Sequence, residues 1–432
     1  MKYFNKKPER VIVIGASIAG LLSARVCSAF FEEVIILDQD KIPSKNATRK
    51  GVPQGDQIHL LLSKGLSILS DLFPGIQQIL KEKGANIGDI GEKLKWYAEG
   101  GFRPRCKVGL ETVMMSRPLL ENTVREELLQ NPNIKLKDEE KVITFNTQDG
   151  KVTGIVSDKA TYKTDLVIDA RGFVSRLHAE LELMGFEIPP IENVQVNVKY
   201  ASCIFPKSEN LDSLLNINTK PPYNSKHGSL QPIEGGKMMA TVQGRLNDEI
   251  PNDLASFKEY TLLLENHEMY EIIKDLEADS KVFGYKVPFV RWIHYEKLDK
   301  FPEGLLPLGD AICRLNPVYG QGMTSASIQA NILYQLLKKK GHRNIWKLYF
   351  KKVAKEIKSP WEISIAEDFK FPETQGIPPK IPVFLIKYFD KLNRVMNQDP
   401  VIYKSFVKVL NMVSSPKILL NPQILWRVIK AK

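Results

Sequence analysis

Short apolar runs and helical patterns alternate at the start of the chain. Residues 11–14 and 34–37 are the apolar runs, and a glycine turn and a helical segment ending near Phe30 lie between them. A strand, a helix and a second strand in this order form the unit that builds parallel sheets. The pattern predicts an α/β fold that opens with a Rossmann-like βαβ unit.

The pattern changes twice further along the chain. Residues 194–290 contain segments that alternate between apolar and polar positions, which predicts an antiparallel sheet in a second domain. After residue 308 the chain turns into a long helix beginning near Gly322, and the rest is mostly helical. The other elements predicted before residue 190 are helices at 63–72 and 118–129, strand and turn at 96–110, and strands near 142–145, 152–157 and 166–168.

Cysteine usage and hydropathy indicate the cellular compartment in which the protein works. The four cysteines are far apart and form no CxxC pair, so we expect neither disulfides nor a metal site. A reducing cytoplasm fits this usage. We expect no leader peptide, because no charged-then-apolar segment precedes the strand at 11–14, and no apolar run approaches the roughly 20 residues that span a bilayer.

The positive charge is concentrated at the end of the chain. The formal net charge is +11, and residues 377–432 hold ten Lys or Arg against two Asp, a net +8. No nucleic-acid-binding signature accompanies this charge, so we expect no nucleic-acid partner. A basic, apolar segment suggests contact with an anionic membrane surface, and a solvated basic face on packed helices is the alternative.

The first glycine-rich turn has the composition of a dinucleotide site. Glycines begin and end it, one permitting the tight turn and the other a close helix–sheet contact, although Ser17 stands where glycine is usual. The free N–H groups and positive dipole end of the following helix suit a pyrophosphate. The residues concerned are Gly15, Ser17, Ile18, Ala19 and Gly20.

An acid at the end of the second strand supports the same interpretation. Asp38, followed by Gln39, stands 18 residues after Gly20, near the spacing at which a carboxylate binds an adenosine ribose. An ordinary strand end capped by an acid is the alternative. These residues predict a bound dinucleotide but do not decide between NAD and FAD.

A second segment favours FAD. An apolar strand ends at Gly309 and Asp310, where a carboxylate can bind a ribityl hydroxyl. A proline and two glycines then allow the backbone to approach a flat ring, and the following helix points its positive end there. Such a helix end stabilises the negative charge of a reduced flavin, whereas a nicotinamide needs no such element. The residues of this loop are Pro317, Gly320, Gln321, Gly322 and Met323.

Six segments of the sequence carry a family resemblance. They are residues 15–20, 49–55 with His59, 116–117, 165–172 with 175–176, 309–310 and 316–323. Over nearly its whole length the chain resembles FAD-dependent monooxygenases with the p-hydroxybenzoate hydroxylase fold, and more narrowly the bacterial branch that includes polyether epoxidases.

The resemblance implies roles for individual residues. It implies that Asp38 binds the adenosine ribose, and that Arg49 and Arg117 face the pyrophosphate and ribityl region. It also implies that Asp310 binds the ribityl chain and that residues 317–323 wrap the isoalloxazine. The chemistry implied is oxygen transfer from O₂ through a flavin C4a-hydroperoxide, which needs no catalytic triad.

The resemblance also implies a division of the chain into three regions. The FAD-binding domain comprises residues 8–75, 111–190 and 291–345. The substrate domain comprises residues 76–110, which are predicted to form strands, and residues 191–290. A C-terminal helical region comprises residues 346–432.

Two departures from the family pattern matter. Many aromatic hydroxylases of this fold have an Asp directly before the glycine of the third motif, but here Arg171 stands there and the acid is displaced to Asp169. This departure speaks against direct reduction by a bound nicotinamide, so a separate flavin reductase is a candidate electron donor beside NADPH or NADH. Related halogenases have a Trp-x-Trp motif, which none of the five tryptophans supplies, so we do not expect halogenation.

Few polar residues stand out as catalytic candidates. His59 precedes a run of three leucines and is a candidate acid or base near the flavin, with a structural histidine as the alternative. Arg291 and Tyr295 could orient the substrate or brace the domain junction. Arg103 and Arg105 flank a proline, and we expect both to be solvated.

The expected substrate is a small apolar organic molecule. The apolar second domain and the aromatic residues of the tail would suit a polyene or isoprenoid, which predicts an epoxidase or a hydroxylase. One competing interpretation is an FAD-dependent reductase or dehydrogenase resembling geranylgeranyl reductases, which lacks the oxygen step. Another is a flavin-binding interaction module without turnover.

Overall fold

A computed structural model describes residues 7–209 and 211–431. Its strands are β1 (Arg10–Ile14), β2 (Glu33–Leu37), β3 (Asn86–Asp89), β4 (Leu94–Ala98), β5 (Gly101–Phe102), β6 (Glu111–Met114), β7 (Ile134–Lys137), β8 (Val142–Gln148), β9 (Lys151–Ser157), β10 (Thr161–Lys163), β11 (Leu166–Asp169), β12 (Ile191–Pro206), β13 (Leu214–Ile217), β14 (His227–Ile233), β15 (Lys237–Arg245), β16 (Phe283–Ile293), β17 (Leu305–Pro307) and β18 (Cys313–Arg314). Its helices are α1 (Ile18–Ser28), α2 (Ser63–Leu72), α3 (Ile76–Glu82), α4 (Ile90–Lys93), α5 (Arg117–Leu129), α6 (Leu177–Leu183), α7 (Leu254–Tyr260), α8 (Glu268–Ile273), α9 (Gly322–Lys340), α10 (Trp346–Asp368), α11 (Val383–Val395), α12 (Pro400–Leu410) and α13 (Pro422–Lys430).

A five-stranded parallel sheet carries the first glycine turn. Its order is β17-β11-β1-β2-β7, and every neighbouring pair is parallel. The strands β1, β2 and β11 are apolar and almost completely buried, as expected for a sheet covered on both faces. Helix α1 follows β1 and packs against α5 and α9. The predicted α/β fold with a βαβ start is confirmed.

An eight-stranded sheet, in the order β18-β16-β12-β15-β14-β13-β4-β5, is the second large sheet. Its side chains alternate: Ala201 and Cys203 join an apolar core with α7 and α8, while Tyr200 and Thr241 face a cavity. Its pairs are antiparallel except β13 with β4, which are parallel. The antiparallel sheet was therefore predicted correctly apart from this one pair.

The segment 76–110 differs in part from the prediction of strands. Residues 76–82 form α3, because Ile76 and Leu80 stand one helical turn apart and are both buried. Strand β3 pairs with β6 in a separate two-stranded sheet, and only β4 and β5 join the eight-stranded sheet. The domain boundaries themselves stay a prediction.

The C-terminal helices α11, α12 and α13 pack with β4 around an apolar core that includes Leu392, Tyr403 and Val428.

The expectation that Arg103 is solvated was wrong. Arg103 is buried against α11, where its Nη2 donates to Asn393 Oδ1 over 2.8 Å, a contact across 290 residues that no local pattern reveals. Arg105 is exposed, as expected. No helix in the described ranges is both long enough and apolar enough to cross a membrane.

Candidate functional site

One cavity of about 1020 Å³ is lined by residues that both large sheets position. The first turns of α1 and α9 open onto it, and the face of the eight-stranded sheet that carries Tyr200 forms another wall. The predicted site residues that line it are Ser17, Ile18, Ala19, His59, Arg117, Gly309, Asp310, Pro317, Gly320, Gly322 and Met323. The predicted residues outside its lining are Gly15, Gly20, Asp38, Gln39, Arg49 and Gln321.

The glycine turn between β1 and α1 leaves no room for side chains. Gly15 has a φ of +103°, and a Cβ there would lie 2.6 Å from the carbonyl oxygen of Ala170. A Cβ on Gly20 would lie 1.8 Å from the carbonyl oxygen of Gly15. The backbone is therefore packed tightly below the turn, and the start of α1 is free to present its N–H groups to an anion in the cavity.

Ser17 stands where glycine is usual in this turn, and its side chain has a structural role there. Its Oγ donates to Glu121 Oε2 over 3.1 Å and accepts from Arg117 Nη2 over 2.9 Å. The hydroxyl thus fastens the turn to α5 and holds the Arg117 guanidinium at the cavity wall. Arg117 Nε also donates to Glu121 Oε2 over 3.1 Å, and the remaining N–H groups of its guanidinium at the cavity wall suit an anionic group such as a pyrophosphate.

Asp38 lies beneath the turn rather than in the cavity. Its Oδ2 accepts from the backbone N–H of Ala16 and pairs with Arg49 Nη1, each over 2.7 Å. Arg49 also pairs with Glu121, at 3.4 Å, so in this structure its guanidinium is occupied by carboxylates and does not line the cavity. Gln39 is exposed. The ribose role of Asp38 and the pyrophosphate role of Arg49 stay predictions.

Asp310 and the start of α9 form the opposite part of the site. Burial raises the pKa of the Asp310 carboxyl, and the nearby Arg314 and Arg117 partly offset this. Its carboxylate accepts no side-chain hydrogen bond from the residues that the structure describes. A Cβ built on Gly322 would meet no atom within 4 Å, so open space lies in front of the helix. The free carboxylate and the open helix end fit a ribityl chain and a flat ring.

A buried network that the sequence analysis missed holds the loop before α9. Asp368, at the end of α10, pairs with Arg245 Nη1 at 2.5 Å and accepts two hydrogen bonds from Asn316 Nδ2, over 2.9 and 3.0 Å. Tyr319 Oη also donates to it, over 3.3 Å. Asp368 is 0% exposed. The network therefore ties the loop to both α10 and the eight-stranded sheet.

Arg171, the departure from the family motif, is held between two acids. Its guanidinium makes two hydrogen bonds of 2.9 Å to Asp169 and bonds of 3.0 and 2.6 Å to Glu180. Asp169 is 0% exposed and also accepts from Ser175 Oγ over 2.6 Å. Arg171 thus acts as a structural clamp at the end of β11, with its charge neutralised locally.

His59 lines the cavity as a neutral imidazole. Its Nδ1 lies 2.9 Å from the carbonyl oxygen of Gln57, which can only accept, so Nδ1 carries the hydrogen. Burial, helped by the charge of Arg117, lowers the pKa of His59 to about 3. The ring can therefore accept a hydrogen bond through Nε2, but at neutral pH it is not an imidazolium and cannot act as a general acid.

Arg291 and Tyr295 lie outside the lining of the cavity. Arg291 Nη2 donates to the carbonyl oxygen of Phe173 over 2.9 Å, and the Tyr295 ring stacks on Phe350 with centroids 5.2 Å apart. Of the two roles considered for this pair, their contacts favour bracing.

Comparisons with known proteins agree with this architecture. No protein-family profile matches the chain. The chain is 27% identical to Protein Rv3254 of Mycobacterium tuberculosis, covering 98% of this chain and 93% of that protein. It is 24% identical to the FAD-dependent monooxygenase prhF of Penicillium brasilianum, covering 77% and 70%.

Solved structures share the fold along almost the whole chain. A flavoprotein/dehydrogenase from Cytophaga hutchinsonii superimposes with a TM-score of 0.69 and 15% identity, covering 97% of this chain and 95% of that one. The flavin-dependent brominase Bmp2 gives a TM-score of 0.66 at 15% identity, covering 98% of each chain. PqsL of P. aeruginosa, solved in complex with 2-aminobenzoylacetate, gives 0.61 at 13% identity, covering 94% and 100%. At sequence identities of 13–15%, the similarity to these structures shows a shared fold and nothing more.

Proposed function

We propose that the chain is an FAD-dependent monooxygenase that inserts one oxygen atom of O₂ into a largely apolar organic substrate, and its similarity to curated FAD-dependent monooxygenases supports this. The observation that carries the proposal is that Asp310, the start of α9 and the eight-stranded sheet all open onto the same cavity. A flavin ring in front of α9 would then face a substrate lying on the sheet. Epoxidation and hydroxylation both fit this arrangement, and the polyether-epoxidase branch stays a prediction.

The residues of the chain would bind and position FAD. The α1 N-terminus and Arg117 would hold the pyrophosphate, Asp310 would accept hydrogen bonds from the ribityl hydroxyls, and residues 317–323 would lie against the ring. When bound, the flavin supplies the two-electron activation of O₂ that oxygen insertion requires. The positive end of α9 would stabilise negative charge on the reduced ring. His59 would offer a hydrogen-bond acceptor beside it.

Oxygen uptake by the FAD-loaded protein tests the proposal. Anaerobic addition of NADPH, and separately of NADH, shows whether the flavin absorbance bleaches without a second protein. We propose a nicotinamide or a flavin reductase as electron donor, and a flavin that stays oxidised favours the reductase.

Oxygen uptake matched by an oxygenated product supports a monooxygenase. Product formed without oxygen would instead indicate the reductase or dehydrogenase alternative resembling geranylgeranyl reductases.

Asp310→Ala should weaken FAD binding by about tenfold to a hundredfold, because a hydrogen bond to a charged acceptor contributes about 1.5–3 kcal/mol. The change is measured by titrating the apoprotein with FAD and following flavin fluorescence. Asp299→Ala is the matched control, because the Asp299 side chain is 93% exposed. Equal affinity of the two variants for FAD would show that Asp310 does not hold the ribityl chain.

We further propose that α11 and α13 rest on an anionic membrane surface, from which the substrate enters. Val383 and Phe384 on α11 and Trp426 and Ile429 on α13 are each at least 60% exposed. The tail that carries them has a net charge of +8, which complements anionic lipid. Ile386, one helical turn after Val383, lines the cavity, so the same helix would border both the lipid and the cavity.

Phe384→Asp with Trp426→Asp should lower binding to phosphatidylserine-containing vesicles by at least about tenfold, because each large apolar side chain contributes about 1.5–3 kcal/mol when buried. Binding is measured by co-sedimentation, with vesicles of phosphatidylcholine alone for comparison. Ile143→Asp with Leu183→Asp is the control, since both residues are exposed but lie outside the tail. Equal sedimentation of the two double variants would contradict a membrane role for these helices.

A further inference from the structure

The cavity face of the eight-stranded sheet carries a continuous row of polar side chains. By strand register, Tyr200 of β12 stands beside Gln243 of β15, and Gln243 stands beside His227 of β14. All three line the cavity. Because side chains two apart on a strand share a face, the next row, with Thr241 and Ser229, extends this polar wall. We call Tyr200, Gln243 and His227 the polar row.

Two atoms of the polar row are unusual because they are buried without a hydrogen bond. In the ranges 7–209 and 211–431, several buried side chains have a polar atom without a hydrogen-bond partner. Of these side chains, Tyr200 and His227 line the cavity. The atoms concerned are Tyr200 Oη and His227 Nδ1, and each residue is 5% exposed. A buried polar group left unpaired costs about 1–3 kcal/mol, so a ligand that pairs with both atoms gains this energy.

The neighbours of His227 fix which of its nitrogens accepts. Asn216 Oδ1 lies 2.9 Å from His227 Nε2 and also accepts from Ser229 Oγ over 2.8 Å. The Asn216 amide nitrogen donates to Asn218 Oδ1 over 2.7 Å, which confirms the orientation of the amide. Burial, followed by the charge of Arg245, lowers the pKa of His227 to about 3, so the ring is neutral. Nε2 therefore carries the hydrogen, and Nδ1 is an acceptor.

Tyr200 supplies the complementary donor. Burial raises the pKa of its phenol, so the hydroxyl stays protonated. Arg245, whose charge acts on Tyr200, is paired with Asp368 at 2.5 Å, so its charge is balanced locally. A carboxylate could accept from Tyr200 but could not donate to His227 Nδ1. A hydroxyl group can act in either way, accepting from Tyr200 Oη or donating to His227 Nδ1.

We infer that the polar row is a subsite for a neutral hydroxyl group, so the substrate is an alcohol or phenol with an apolar body rather than a pure hydrocarbon. The inference rests on the proposed function, since it names the substrate class of the same cavity. It narrows the expected polyene or isoprenoid to a hydroxylated compound. The rest of the molecule would extend toward apolar side chains of the cavity lining such as Leu94, Leu214 and Ile386.

Ligand binding to the FAD-loaded protein tests the subsite without turnover. The probes are farnesol, farnesyl methyl ether and farnesene, and in parallel 1-naphthol, 1-methoxynaphthalene and naphthalene. Binding is followed anaerobically by the change in flavin absorbance. In at least one series we expect the hydroxylated member to bind about tenfold more tightly than its ether or hydrocarbon, consistent with two hydrogen bonds of modest net strength.

Variants identify the atoms responsible. Tyr200→Phe and His227→Phe should each reduce the preference for the hydroxylated probe about threefold to fivefold, with thermal unfolding checked to show that each variant is folded. Tyr223→Phe is the matched control, because Tyr223 also lines the cavity but is 85% exposed. No preference in either series, no binding of either hydroxylated probe, or a preference that both variants retain would overturn the inference. Since the assay uses neither O₂ nor a reductant, its outcome is separate from a failure of the oxygenation proposal.

Discussion

Asp368→Ala should lower the free energy of unfolding by about 3–5 kcal/mol, because it breaks a buried ion pair and leaves Arg245 charged inside the protein. Arg245 is 5% exposed and Asp368 is 0% exposed, so water cannot replace the lost carboxylate. Asn316 and Tyr319 lose their acceptor in the same substitution. The loop before α9 would then be free to move, and we expect FAD affinity to fall as well.

Urea unfolding followed by circular dichroism measures the stability change, and an FAD titration measures the effect on the loop. Glu367→Ala is the matched control. Its carboxylate pairs with Lys370 at 2.9 Å but is 40% exposed, so its loss should cost less than about 1 kcal/mol. If the two variants unfolded at the same urea concentration, the network around Asp368 would not be a major source of stability.

Local pattern was sufficient to predict the start of the fold. The apolar runs at β1 and β2, with glycines at 15 and 20 between them, predict the strand–turn–helix geometry because each requirement acts over a few residues. The helix at 63–72 was predicted with the bounds that the structure gives it, for the same reason. Asp310 was also singled out from sequence, since a glycine and an acid at a strand end stand together in the chain; it lines the cavity, and its role toward the ribityl chain stays a prediction.

Contacts between distant segments were beyond the reach of the sequence. Asp368 and Asn316 are 52 residues apart, and Asp368 and Arg245 are 123 apart, so no spacing rule connects them. The polar row joins residues of three strands whose register depends on the whole sheet. The alternation in β12 and β15 predicts that one face is polar, but not that the face lines a cavity or leaves two atoms unpaired.

Arg171→Met should lower the free energy of unfolding at pH 7 by about 3–5 kcal/mol, because it removes the cation that neutralises the buried Asp169. Ser175 and the backbone N–H of residue 171 would still donate to the carboxylate, but no positive charge would face it. The measurement is the urea midpoint of the variant against that of the unchanged protein. Arg176→Met is the control, since Arg176 is an exposed arginine only five residues away.

The dependence of stability on pH provides a second, independent test of the role of Arg171. In the unchanged protein, burial raises the pKa of Asp169, but the charge and hydrogen bonds of Arg171 outweigh this and hold the pKa below its ordinary value. Its contribution to stability is therefore present above the unfolded pKa of about 3.9 and is lost as the pH falls through the folded pKa. In Arg171→Met, burial without the cation should raise the folded pKa above 3.9 or so, and the carboxyl then costs stability as the pH rises. The stability difference between the two proteins should grow from pH 4 to pH 7, and a difference that stayed constant over this range would mean that Arg171 stabilises β11 by packing rather than by charge.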